Sequence, residues 1–375
     1  MAQTSTTAAC TGDPEANAVC LTGNNTVIDG QNLVTFVYSG TGKCASDPAP
    51  SPQPALFTLK GGTNTVKNFT MKYFPEGIHL RSGSNHTVDH VTDRFICEDA
   101  ITVDSTAGAG QQIKNSTLVG NTTAEAGFAC YKDDAVTTGP CGVDKAIQIN
   151  GGGATVDSNQ IDTIGQPVHV VKGTHTISNN ATQGSTTNQN VCQGYTVEVT
   201  SGNTGTVTFN NNVVDYCKWA IRNGDTSCAA TGTASLTVTN NTLRNNYLAA
   251  VLNANSASAP STQIKGQGNK MKNNGSFTTS DCQRGDVVVK CNANAVIDFG
   301  GGSLSSTGGN KFCSQGSLYD LWNSTGGSCP SPTGGGSNYK AKSNCFDPAP
   351  SLKYDPSSLI VSTPESTCTV SDCNF

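Results

Sequence analysis

The sequence predicts an all-β fold, a parallel β-helix in which short strands stack turn upon turn. Three observations predict it. A phrase of the form Thr-Val-x-Asn recurs along the chain. A second series of short apolar triplets follows it within each repeat. Val and Ile are regularly spaced in a background of Asn, Thr, Ser and Gly, as suits many short strands joined by polar turns.

The phrase appears as Thr26-Val27-Ile28-Asp29, Thr65-Val66-Lys67-Asn68, Thr87-Val88-Asp89-His90, Gln112-Ile113-Lys114-Asn115 and Thr155-Val156-Asp157-Ser158. It continues as Thr176-Ile177-Ser178-Asn179, Thr208-Phe209-Asn210-Asn211, Thr237-Val238-Thr239-Asn240 and Gln263-Ile264-Lys265-Gly266. Its apolar residue returns after 39, 22, 25, 43, 21, 32, 29 and 26 residues. Most intervals suit one coil of roughly 20–30 residues, and the long ones are coils carrying loops. A single coil cannot bury its inward face, whereas stacked coils can. The Asn two places after the apolar residue suits side-chain amide ladders. It also suits the left-handed backbone of tight turns.

The second series reads Gly77-Ile78-His79, Ala100-Ile101-Thr102, Ala146-Ile147-Gln148, Pro167-Val168-His169, Thr196-Val197-Glu198, Ala220-Ile221-Arg222 and Ala250-Val251-Leu252. Alternation puts the middle residue inside and the third outside. That gives an outer column of His79, Thr102, Gln148, His169, Glu198 and Arg222. The preceding residues give a neighbouring column of Glu76, Asp99, Lys145, Gln166, Tyr195 and Trp219.

The β-helix is expected over residues 1–300, with 1–60 capping its first coils and 121–143 an inserted loop that Cys130 and Cys141 could close. A Cys-containing cap or tail is expected over 301–375. Sixteen cysteines without a CxxC pair favour disulfides over zinc. Sequons at Asn24, Asn68, Asn85, Asn115, Asn121, Asn180, Asn240, Asn274 and Asn323 agree with a secreted, extracellular glycoprotein. Met1-Ala2-Gln3 has no signal-peptide apolar region and reads as a mature sequence with an added start. Charged residues make up 13 % and the net charge is −5, so no nucleic-acid partner is expected. No apolar run approaches the ~20 residues of a membrane span, so no membrane partner is expected either. A monomer is expected.

Coiling brings Glu76, Glu98 and Asp99 to the heads of adjacent strands. Like charges at a strand spacing of about 5 Å repel. A bound Ca²⁺ removes that cost, and oxygen-only ligands suit it, with Asp144 as a fourth. Lys145 follows one coil later in the column of Asp99, either pairing with the acids or serving as a base.

The residues Glu76-Gly77-Ile78-His79-Leu80, Cys97-Glu98-Asp99-Ala100-Ile101-Thr102 and Asp144-Lys145-Ala146-Ile147-Gln148-Ile149-Asn150-Gly151-Gly152-Gly153 resemble the pectate lyases of polysaccharide lyase family 3. The resemblance covers about residues 55–180. It implies a right-handed parallel β-helix, Ca²⁺ on Glu76, Glu98 and Asp99, Lys145 as catalytic base, and β-elimination on an acidic plant cell-wall polysaccharide. The family continues with Asp-Phe-Gly-Lys-x-x-Arg. Here Asp162-Thr163-Ile164-Gly165-Gln166-Pro167-Val168-His169 stands at that place, so Gln166 and His169 replace the Lys and Arg. A similar phrase comes later, Asp215-Tyr216-Cys217-Lys218-Trp219-Ala220-Ile221-Arg222. The expected catalytic residues are therefore Lys145, His169 and Arg222. The expected sugar contacts are Lys218, Trp219, Gln166 and Gln148. The competing readings are a polygalacturonan hydrolase, whose Asn-Thr-Asp, Asp-Asp, His-Gly and Arg-Ile-Lys motifs do not occur here in order, and a catalytically altered β-helix that binds glycans.

Overall fold

The computed structural model describes residues 17–38, 55–74, 76–94, 99–120, 145–162, 164–189, 191–225, 227–256, 258–259, 262–275, 284–292, 294–314, 320–323, 338–347 and 366–375. Among them every regular element is a β-strand, and the described pairings are parallel. The chain divides into two compact units, residues 1–169 with 190–192, and residues 170–189 with 193–375.

Two ladders build the first unit. One stacks Asn17–Leu21, Ala55–Leu59, Glu76–Leu80, Asp99–Val103 and Lys145–Ile149. The other stacks Val27–Val37, Thr65–Lys72 and Thr87–Arg94. It then splits each repeat into two strands, Gln111–Lys114 with Thr117–Val119 and Ala154–Asp157 with Gln160–Asp162. The ladders face each other across an apolar core, where the Phe57 ring of the first lies 5.3 Å from Phe69 and 5.5 Å from Phe36 of the second. Val66, Val88, Ile113 and Val156 fall in one register and are fully buried. Each contributes about 1.5–3 kcal/mol by leaving water. The start of the series is one residue out. Ile28, not Val27, aligns with Val66, and Val27 is exposed. Within residues 1–60, expected to cap the coils, Asn17–Leu21, Val27–Val37 and Ala55–Leu59 already supply strands to both ladders.

The second unit repeats the plan. Tyr195–Val197, Trp219–Gly224, Ala249–Ala254, Gly285–Val289 and Leu321–Asn323 form one ladder. Gly173–Ser178, Thr204–Asn210, Thr233–Thr239, Gln263–Gln267, Val296–Asp298 and Asn338–Lys340 form another. Beside it run Ala181–Gln183, Val213–Asp215, Thr242–Arg244, Lys270–Lys272, Lys311–Cys313, Cys345–Phe346 and Ser366–Thr367. The ladders thus continue past residue 300. Ile264 aligns with Leu236, which sets Gly266 against Val238. A side chain at Gly266 would fall 2.2 Å from the Phe299 ring, so Phe299 of the next repeat fills the place of the missing valine.

The asparagines divide their work. Asn68, Asn115, Asn179, Asn211 and Asn240, two places after the apolar residue, hold left-handed φ between 53° and 58°. The buried ladder is one residue further on. Asn180, Asn212, Asn241, Asn269 and Asn310 each donate an amide hydrogen bond to the next asparagine, the last to Asn344, at 2.9–3.1 Å. The ladder belongs at that place because the chain turns there, and its buried backbone groups need side-chain partners. In the first unit His86 and Gln111 take the same role, each accepting a backbone N–H from the preceding repeat at 3.1 Å.

Disulfides join Cys228 to Cys291, Cys313 to Cys373 and Cys345 to Cys368. The sulfurs of Cys313, Cys368 and Cys373 cluster within 4.8 Å because two disulfides sit together, which leaves no thiolates for a metal. The expected Cys130–Cys141 closure lies outside the described residues. Among the described residues, no helix is long and apolar enough to cross a membrane.

Candidate functional site

The site is built on three adjacent strands of the first unit, Glu76–Leu80, Asp99–Val103 and Lys145–Ile149. Ile78, Ile101 and Ile147 share one register, as do His79, Thr102 and Gln148. Asp99 is the direct partner of Lys145. Gly77 is required by close approach, since a Cβ there would fall 2.1 Å from the Ala100 carbonyl oxygen.

The Lys145 ammonium lies 3.6 Å from the Asp99 carboxylate, and both side chains are 17 % exposed. The Thr102 hydroxyl reaches the same carboxylate at 3.5 Å. The Glu76 carboxylate contacts the His79 imidazole. Strict alternation would turn Glu76 and Asp99 away from His79 and Thr102. Their side chains nevertheless meet. His79, Thr102 and Gln148 are buried, at 3 %, 5 % and 8 % exposure, so the column expected to face out is largely covered.

Gln148 links the column to His169. Its Nε2 donates to Asn150 Oδ1 at 2.5 Å, which turns its Oε1 toward His169 Nδ1 at 2.7 Å. That network makes Nδ1 the donor, so a neutral His169 carries its lone pair on Nε2. Gln166, on the strand Gln166–Val170, is half-buried. Glu98 and Asp144 lie outside the described residues.

The remaining predicted residues belong to the second unit. The Lys218 ammonium and the Arg222 guanidinium lie 4.7 Å and 5.2 Å from the centroid of the Trp219 ring. Arg222 also approaches Glu198 at 3.9 Å. Trp219 is 2 % exposed and packs with Tyr247, Leu248 and Leu252, so its ring offers no open face to a sugar. Tyr195, expected outside, is fully buried, stacked on Phe209 at 5.7 Å with its hydroxyl 2.8 Å from Thr182. Burial pushes the Tyr195 phenol up. The register explains the difference: Tyr195 pairs with Ile221 and Thr196 with Arg222, two residues from the expected pairing of Val197 and Glu198.

Oxygen donors of this kind suit a hard cation: Glu76 and Asp99 are carboxylates on neighbouring strands, mostly shielded from water, with the Thr102 oxygen beside Asp99. Among the described residues, Glu76, His79 and Asp99 do not bring three ligand atoms within 4.8 Å of one another. Sequence reasoning passed over Asn150 and Thr102, which orient Gln148 and Asp99. Their polar side chains two residues after Gln148 and three after Asp99 were the available signal. Compared with known proteins, the chain matches no family model, no curated protein and no solved structure.

Proposed function

We propose that the chain is a secreted, calcium-dependent lyase that cleaves polygalacturonate or a related acidic plant cell-wall polysaccharide by β-elimination, on a right-handed parallel β-helix. The observation that carries this reading is the in-register pair of Lys145 and Asp99, 3.6 Å apart, with Glu76 on the strand beyond. Glu76 and Asp99, with Glu98 and Asp144, would hold the ion. Ca²⁺ bound there would neutralise the uronate carboxylate and so make the C5 proton more acidic.

The chain's own groups direct the proton transfers. Neutral Lys145 takes the C5 proton on Nζ. The C5–H electron pair becomes the C4–C5 double bond, and the C4–O bond breaks. The departing oxygen takes its proton from a water molecule that hydrogen-bonds to the Nε2 lone pair of neutral His169. Asp99 holds the Lys145 ammonium in the resting site. A cation that occupies the carboxylate competes with that pairing and favours the neutral amine. Lys218 and Arg222 supply separate contacts for uronate carboxylates on the second unit.

The burial of His79, Thr102 and Gln148 favours a second reading, a non-catalytic β-helix that binds glycans. One incubation separates the readings. Polygalacturonate is treated with the protein in Ca²⁺ or in chelator. Ultraviolet-absorbing unsaturated product that needs Ca²⁺ supports the lyase. New reducing ends without that absorbance identify a hydrolase. Retention on immobilised polygalacturonate with no product identifies a binder.

A further inference from the structure

We infer that Asp93 is a proton-dependent latch in the core of the first unit. The folded unit carries its carboxyl uncharged, and loss of that proton as pH rises loosens the strand Thr87–Arg94. That strand leads within five residues to Asp99.

The inference rests on where the sequence puts a carboxyl. Asp93 is the Cα partner of Met71 on one side and of Leu118 on the other. Phe36 and Ile161 extend the same row through their pairing with Met71 and Leu118. These four neighbours in the row, Phe36, Met71, Leu118 and Ile161, are all apolar. Asp93 is 1 % exposed, and neither carboxylate oxygen has a hydrogen-bond partner. A buried carboxylate is tolerated when donors surround it, as Asp298 shows by accepting from the N–H groups of Gly300, Gly302, Leu304 and Ser306. Asp93 has none of these.

The charged groups on the packed elements are engaged elsewhere. On its own strand, Asp89 meets His90 at 2.7 Å and Lys114 at 4.0 Å, and Arg94 is exposed. On Thr65–Lys72, Lys67 pairs with Asp29 at 3.3 Å, and Lys72 stands opposite Arg94 rather than Asp93. Thr117–Val119 carries no charge. On the facing ladder, Glu76 meets His79 and Asp99 meets Lys145. Among the described residues no cation compensates an Asp93 carboxylate, and an uncompensated buried ion is far costlier than the neutral acid.

Burial alone raises the Asp93 carboxyl well above the ordinary range. The folded unit therefore holds the proton more tightly than the unfolded chain, whose carboxyl titrates near 3.8. Between those two values the folded state binds more protons, so stability is highest in acid and falls as pH rises. The opening equilibrium grows about ten-fold per pH unit across that window. A Lys145 base needs alkaline pH, so the latch sets the upper pH limit of the same unit. That last statement rests on the lyase reading, whereas the opening of the strand does not.

Hydrogen exchange by mass spectrometry tests the latch, on peptides covering residues 65–119 in the wild type and in Asp93→Asn, from about pH 5 to about pH 9. Comparing the two proteins at each pH cancels the intrinsic exchange rate. Opening in the wild type relative to the variant should rise about ten-fold per pH unit over part of that range. A ratio that stays constant throughout overturns the inference. Infrared spectroscopy of the wild type gives a second reading should Asp93→Asn fail to fold. A protonated carboxyl band should persist in neutral buffer in the wild type, in Asp162→Asn, whose carboxyl is also raised by burial, and in Asp286→Asn and Asp320→Asn, whose carboxyls are fully buried. Absence of the band from the wild type, or its loss in any of these three variants, equally overturns the latch.

Discussion

Replacing Asn241 with alanine tests how the repeats of the second unit are held together. Its Oδ1 accepts from the Asn212 backbone N–H at 2.9 Å and from the Asn212 amide at 3.0 Å. Its Nδ2 donates to the Phe209 carbonyl at 3.0 Å and to Asn269 at 3.1 Å. Asn241→Ala therefore strands the Asn212 N–H and the Phe209 carbonyl in a fully buried place. At about 1–3 kcal/mol for each stranded group, the loss is about 2–6 kcal/mol. The adjacent Asn240 is exposed, and its side-chain amide donates to Asn210 at 3.4 Å. Its cost comes from its left-handed φ of 56°, about 1–2 kcal/mol for Asn240→Ala and close to nothing for Asn240→Gly. Urea unfolding followed by tryptophan fluorescence reads the second unit, because both tryptophans, Trp219 and Trp322, belong to it. Unglycosylated protein keeps the Asn240 sequon from confusing the comparison. The reasoning fails if Asn241→Ala lies within about 0.5 kcal/mol of wild type, the ordinary range of surface substitutions.

Three further outcomes follow from the same contacts. Burial lowers the His86 imidazole below its ordinary 6.5, and Nδ1 accepts the Asn64 N–H while Nε2 faces the Ser82 carbonyl. Its stabilising contribution is therefore complete above about pH 6.5 and is lost as pH falls below it; His86→Gln should flatten this acid limb in hydrogen exchange of residues 55–119. The Cys345–Cys368 disulfide closes a loop with a sequence separation of 23, so the double change to serine should cost about 3 kcal/mol in chemical unfolding. Among the sequons, Asn180 and Asn274 are buried in amide contacts, whereas Asn24, Asn85, Asn115 and Asn240 are exposed. Glycopeptide mapping after expression in a glycosylating host should find, among these six, the first two bare and sugar only on the exposed four.

The periodic part of the fold was legible because burial acts on every repeat alike. Val66, Val88, Ile113 and Val156 recur where a stacked strand must bury one residue, and the structure aligns them. The approach of Asp99 to Lys145 was legible for the same reason. Register after a loop was not. Residues 184–194 separate Gln183 from Tyr195, and nothing local states whether Tyr195 or Val197 enters the next row. A shift of two residues keeps the apolar alternation intact while moving Glu198 out of line with Arg222. The asparagine ladder was misplaced by one residue because Asn-Asn pairs such as Asn240-Asn241 carry both roles. The left-handed turn takes the first and the buried amide takes the second. Trp219 and Asp93 show a limit of another kind, since a large aromatic or a carboxyl in a polar-rich chain reads as surface until its neighbours are known.

The most direct test of the central claim is the rate of unsaturated product formation from polygalacturonate in Ca²⁺, in wild type and in Lys145→Ala. The account predicts steady elimination by the wild type, faster as pH rises while the unit stays folded. It predicts a fall of about 100- to 10,000-fold in the variant. Elimination that proceeds undiminished without the Lys145 amine would contradict it.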